Sequence, residues 1–226
     1  MMHTSIRVLT LVNIFQQMES GLLVVPAFQR EFVWESKDII QLLESVYNGF
    51  PIGNIILTEN NIGQEDKLDN KKSLFPKIKE ENSLVDSKKY LVLDGVQRLS
   101  TLYNCFHESD IGKFKVYFNL STKKFVYPNE RNEFKVGDCI KLSSLYNSKK
   151  FIKFQIEVSS RENAESLLDE ANNLHLIFKE YQVVAHIISK ASHSDAISIF
   201  ESINRTGIHL SKEDIENARR KIDKVN

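Results

Sequence analysis

Residues 90–102 read YLVLDGVQRLSTL, and this junction constrains the fold more than any other stretch of the chain. The apolar run 90–93 reads as a buried strand, stopped by Asp94-Gly95. An amphipathic helix begins directly after it, with Arg98 in its first turn. A strand that passes through glycine into a helix aims several free backbone N–H groups at one point, at the positive end of the helix dipole. Such a junction is a ready anion site. Arg98 adds a planar fork of donors suited to phosphate oxygens. A plainer reading of the same residues is a capped helix, with Asp94 at the cap and Gln97 as its reciprocal partner. The two readings can coexist.

The 226 residues suffice for one large domain or two small ones, and 42% hydrophobic with 27% charged residues is ordinary for a globular protein with a real core. Thirty basic and 30 acidic residues cancel, so whole-molecule attraction to nucleic acid is not implied, although a local basic patch is compatible with neutrality. Two cysteines, Cys105 and Cys139, make neither a disulfide framework nor a metal motif, and Cys105 is expected on a buried helix face. No apolar run of about 18 residues is present, so no membrane span is expected. The N-terminus lacks a charged start followed by an apolar core, so a cytoplasmic protein is expected.

Helical spacing of Ile6, Leu9, Val12, Ile14 and Phe15 predicts a helix over 5–19, stopped at Gly21. Residues 22–25 form a short predicted strand, closed by Pro26. Ser36 caps a predicted helix running to 47, with Ile39, Ile40, Leu43 and Val46 on one face, and 53–58 is the next strand. Residues 59–89 are rich in Asn, Lys, Glu and Asp, which predicts an exposed and flexible excursion. It interrupts a strand pair rather than separating domains, so 1–226 is expected to be a single domain. Residues 113–119 and 123–127 suggest a hairpin, while 136–146 carry no clear period.

The last third reads as mainly helical. Residues 164–178 keep helical spacing, with Ser159 and Glu162 as a capping box. Residues 182–188 read as a buried strand, and 193–203 as a helix with Ala196, Ile199, Phe200 and Ile203 inward. Asn204-Arg205-Thr206-Gly207 is expected to turn the chain, and Ser211 with Asp214 to open a final polar helix.

Two further segments carry candidate chemistry. In 26–34, PAFQREFVW, the plain reading packs Phe28, Phe32 and Trp34 inward and leaves Arg30 on the surface. In 200–211, FESINRTGIHLS, the plain reading is a helix–turn–helix connection, and the functional one is a polar loop closing over a ligand. There Arg205 and Thr206 are the side chains able to reach a phosphate or sugar. None of the six histidines lies in a nuclease-like cluster, and His186 reads as a packed core residue.

In this order the segments resemble the N-terminal domain of GmrSD-type modification-dependent restriction systems. That family's signatures are P-x-Y/F-Q-R-x-x-x-W, P-x-G, DGQQR-L-T-T-L and F-x-x-I-N-x-T-G-x-x-L-S. The chain reads PAFQREFVW at 26–34, PIG at 51–53, DGVQRLSTL at 94–102 and FESINRTGIHLS at 200–211. The resemblance implies an α+β fold, with a ParB/sulfiredoxin-like core of a small mixed sheet and flanking helices, and a helical C-terminal third. It also implies nucleotide binding with the DGQQR element at the phosphates, and in some members triphosphate hydrolysis that licenses a nuclease.

Carried over position by position, the binding candidates are Gln29, Arg30, Asp94, Gly95, Gln97, Arg98, Asn204, Thr206 and Gly207, beside Arg205 from the plain chemistry of its loop. Asp94 and Arg98 are the candidates for catalysis. The expected cofactor is a nucleoside triphosphate with Mg²⁺, and the expected partners are DNA and a separate nuclease subunit or domain. Val96 departs from the family, which has its first Gln there, and this sets binding without turnover beside hydrolysis. A non-catalytic DNA-binding or adaptor module is the alternative. No metal-ligand cluster, catalytic histidine pair or C-terminal nuclease domain is read in the chain, so cleavage of DNA by these residues alone is not expected.

Overall fold

The computed structural model describes residues 2–60, 73–76, 89–129, 134 and 137–205. These residues form two compact units, each assembled from separate stretches of chain.

The described residues of Met1–Val33, Gly53–Gln97 and Gln182–Asn226 form the first unit. Its elements are β1 (His3–Thr10), α1 (Leu11–Glu19), β2 (Leu23–Val24), β3 (Ile55–Asn60), β4 (Lys89–Asp94), β8 (Gln182–Ser189) and α7 (His193–Arg205), with the start of α3 (Val96–Phe106). The five strands make one mixed sheet in the order β1-β8-β3-β4-β2. β8 is antiparallel to β1 and parallel to β3; β4 is antiparallel to β3 and parallel to β2. The expected excursion therefore does interrupt a strand pair, β3 and β4. Most of 59–89 lies outside the described residues; within it, Ser73 and Phe75 are buried.

Val24, Leu91 and Leu93 are buried on one face of this sheet, where Ala196 of α7 meets them. Phe28, Ile56 and Ile199 pack around that cluster. Each such aliphatic side chain contributes about 1.5–3 kcal/mol when fully buried.

Helical spacing misleads at the N-terminus, where residues 3–10 are a strand. Ile6 and Val8 share one pleat face and are 64% and 57% exposed, which no core-facing helix stripe would show. The backbone of this stretch pairs along its whole length with β8, from His3 opposite Ser189 to Thr10 opposite Gln182. The helix starts only after Thr10, whose hydroxyl accepts from the Asn13 N–H at 3.3 Å. α1 then buries Leu11, Ile14, Phe15 and Met18 and stops before Gly21 as expected.

Trp34–Ile52 and Arg98–Tyr181 supply the second unit. It holds α2 (Ser36–Tyr47), the rest of α3, a short sheet of β5 (Tyr117–Asn119), β6 (Lys124–Val126) and β7 (Cys139–Lys141), and helices α4 (Leu142–Leu145), α5 (Ser148–Ser159) and α6 (Ala164–Glu180). α2 has the expected length, but Glu35 rather than Ser36 is its cap, in a reciprocal box with Asp38. The hairpin forms through Asn119, whose side-chain oxygen accepts from the Ser121 and Thr122 N–H groups at 3.0 Å each. Its first strand begins at 117 because 112–114 wind into a 3₁₀ turn.

α5 is absent from the sequence reading, and it removes the proposed Ser159 cap. Ser159 is the last residue of α5 and donates to the Ile156 carbonyl, while Asn163 precedes α6. An aromatic core fills this unit. The Phe106 and Phe178 rings stand 4.6 Å apart and the Phe118 and Phe125 rings 4.9 Å apart. Glu170 is buried here and is compensated by the Tyr47 hydroxyl at 2.7 Å and the Lys123 ammonium at 2.7 Å.

The class is the expected mixed α+β. No helix among the described residues is long and apolar enough to cross a membrane.

Candidate functional site

β4 runs its apolar residues Leu91, Val92 and Leu93 through the sheet and ends at Asp94. Gly95 follows with φ 99°, a conformation that side chains with a Cβ rarely adopt, and α3 begins at Val96. The strand–glycine–helix junction read from 90–102 is therefore present, with residues 90–97 in the first unit.

The 26–34 segment is fastened to this junction by two glutamines. Gln29 donates from Nε2 to the Val92 carbonyl at 3.1 Å and to the Leu93 carbonyl at 2.8 Å. Gln97 works in the reverse direction from α3: its Nε2 donates to the Glu31 carbonyl and its Oε1 accepts from the Val33 N–H, both at 3.0 Å. Gln97 is 8% exposed, so each of these bonds satisfies a group with little access to water. The capping-box role read for Gln97 is thereby overturned, because both ends of its amide are engaged with the 31–33 backbone. Phe28 packs on α7, with its ring 5.1 Å from that of Phe200 and 6.3 Å from that of His193. Phe32 and Trp34 are half-buried rather than core residues.

Between the two clamps stands Arg30. It is half-buried and makes no hydrogen bond or ion pair among the described residues. Asp94 is half-buried, while Val96 is 4% exposed. Position 96 thus faces the interior, and the valine adds apolar packing there.

Arg98, the next residue of α3, belongs to the second unit. Its Nη1 donates to the Ile52 carbonyl at 2.6 Å. The Pro51-Ile52-Gly53 segment thus orients this arginine, a role that its sequence did not suggest. Tyr181 was also missed: its hydroxyl donates to the Phe50 carbonyl at 2.6 Å. Lys113 donates to the Trp34 carbonyl at 2.8 Å. A tyrosine between a helix and a strand has no local signature, and only the fold brings it to this turn.

The third segment departs from the expected turn. α7 continues through Asn204 and Arg205, and the Asn204 amide donates back to the Phe200 carbonyl at 2.8 Å, within its own helix. Thr206 and Gly207 lie outside the described residues. His186 is half-buried rather than a core residue, with its Nε2 3.1 Å from the Asn54 amide nitrogen. Among the described residues no group of three or more His, Cys, Asp or Glu side chains is placed to hold a metal ion.

The chain is similar to an uncharacterized protein of Methanocaldococcus jannaschii, with 27% identity over 245 aligned positions that cover 92% of this chain. It spans only 41% of that relative's length. The model of the family described as "GmrSD restriction endonuclease, N-terminal domain" matches residues 11–220. Every motif segment placed above falls inside that match, and the chain belongs to the GmrSD restriction endonuclease N-terminal domain family.

Proposed function

We propose that this chain is the nucleotide-binding regulatory module of a restriction or phage-defence system. The observation that carries the reading is Arg30: a half-buried arginine without a partner among the described residues, on a loop that Gln29 and Gln97 fasten to a strand–glycine–helix junction. An arginine partly withdrawn from water gains when an anion neutralises it. The first-turn N–H groups of α3 and the Arg98 fork supply the same preference for phosphate.

The roles divide accordingly. Arg30 and Arg98 neutralise phosphate charge. Gly95 allows the backbone to approach the ligand. Gln29 and Gln97 hold the loop, because their side-chain amides are engaged with backbone groups. The donor set also fits Mg²⁺: a triphosphate supplies most of its oxygen ligands and Asp94 offers the one carboxylate of the junction, with water completing the shell. When bound, Mg²⁺ shares the charge of the phosphates.

Inward-facing Val96 favours binding without rapid turnover, with the nucleotide acting as a signal to a nuclease subunit or domain and to DNA. Calorimetric titration with the common nucleoside triphosphates and Mg²⁺ tests this. Binding that is weakened tenfold or more, but still measurable, in Arg30→Ala and in Arg98→Ala supports the reading. No heat at millimolar nucleotide, together with a salt-dependent shift of modified DNA, would support the adaptor reading instead.

A further inference from the structure

Arg98 donates to the Ile52 carbonyl at 2.6 Å, so its orientation depends on where the Phe50–Ile52 turn places that oxygen. Little apolar packing holds this turn, since the Phe50 side chain is 60% exposed. Backbone contacts hold it instead. The Phe50 N–H donates to the Ser45 carbonyl at the end of α2 at 2.8 Å, and the Phe50 carbonyl accepts from Tyr181 at 2.6 Å. Pro51 fixes its own φ and has no N–H to contribute. Gly53 closes the turn with φ 85°.

Tyr181 is itself well anchored. Its N–H donates to the Ile177 carbonyl at 3.0 Å at the end of α6, and β8 begins at the next residue. Burial raises its pKa, while a hydrogen bond from the Ile52 backbone and the nearby charge of Arg98 act in the opposite direction. At neutral pH the phenol is therefore protonated and donates. Ile52 is held from both sides: its backbone N–H faces the Tyr181 oxygen and its carbonyl accepts from Arg98.

We infer that Tyr181 is a positioning residue for Arg98, acting through the Phe50–Ile52 turn so that the guanidinium meets phosphate in one fixed orientation. The inference rests on the nucleotide reading of the site. A free arginine side chain gives up rotamer entropy on being fixed, and a guanidinium already held by Ile52 has lost part of that freedom before ligand arrives. Tyr181 adds no contact to the ligand in this scheme.

Tyr181→Phe in the full chain is the test, because it keeps the ring and removes only the hydroxyl. Affinity for Mg²⁺–nucleoside triphosphate is expected to fall about five- to tenfold. In an Arg98→Ala background the same change should cause no further loss, which a merely structural role would not reproduce. Without ligand, ¹⁵N-labelled Arg98 should show separate, slowly rotating Nη signals in the wild type and averaged signals in Tyr181→Phe. Pro51→Ala loosens the same turn from its other side and should repeat the effect if Tyr181→Phe fails to fold. Unchanged Arg98 signals with unchanged affinity, or an equal loss in both backgrounds, would overturn the inference. If the wild type binds no nucleotide, the reading of the site fails, and the guanidinium signals still decide the role of Tyr181.

Discussion

A half-buried arginine without a counter-charge carries an electrostatic cost, and among the described residues Arg30 has no such partner. Arg30→Ala should therefore leave the unfolding midpoint unchanged or slightly raised while lowering nucleotide affinity tenfold or more, measured by thermal melts and calorimetry on the same preparation. Gln97 should behave in the opposite way. Gln97→Leu removes the bonds to the Val33 N–H and the Glu31 carbonyl, and each lost hydrogen bond costs about 0.5–1.5 kcal/mol, readable as a lower denaturant midpoint. Gly95→Ala forces a Cβ into a backbone with φ 99° and should cost about 1–2 kcal/mol by the same measurement. The residues that bind and the residues that hold are thus separable by whether stability or affinity moves.

Between elements, Glu108 joins the end of α3 to β7 and α5 through Lys141 at 2.8 Å and Lys150. Hydrogen bonds from Lys141 first, and then Lys150, bring its pKa from 4.5 down to about 2. A depressed folded-state pKa contributes stability that is present above about pH 4.5 and is lost as pH falls toward 2. Glu108→Gln should flatten stability against pH in that window, and added salt should shrink the difference because the carboxylate is half exposed. Cys105 is 1% exposed on α3, as its sequence context suggested, and burial pushes its thiol up, so it should resist thiol reagents until the chain unfolds. The elements legible in the sequence were those with one unambiguous period and a local stop: α2, the hairpin, α6 and β8. The boundary at Thr10 was not legible, because Ile6 and Leu9 fit a helical stripe as well as a strand, and only pairing with β8 decides between them. Asn204-Arg205 looked like a turn, yet the Asn204 amide bonds back to Phe200 and the helix continues. The junction at 90–102 was readable for the same local reasons. Its fastening by Gln97 to a carbonyl 66 residues away was not, since no local pattern records a contact at that separation.

For the whole molecule, charge neutrality limits where affinity for an anion can come from. With 30 basic and 30 acidic residues the chain has no overall attraction to polyphosphate, so affinity for a nucleotide must come from the placed groups at the junction. Non-specific DNA binding depends on neutralising many phosphates, so this chain alone should bind unmodified DNA weakly and lose it steeply as salt rises. The chain spans 41% of the length of its M. jannaschii relative. Calorimetric titration of the chain with Mg²⁺ and nucleoside triphosphate, repeated with Arg30→Ala, tests the central claim most directly. Saturable one-site binding in the wild type, weakened at least tenfold in a variant that melts at the wild-type temperature, is the predicted result. Absence of binding at millimolar nucleotide, or equal binding by the two proteins, would contradict it.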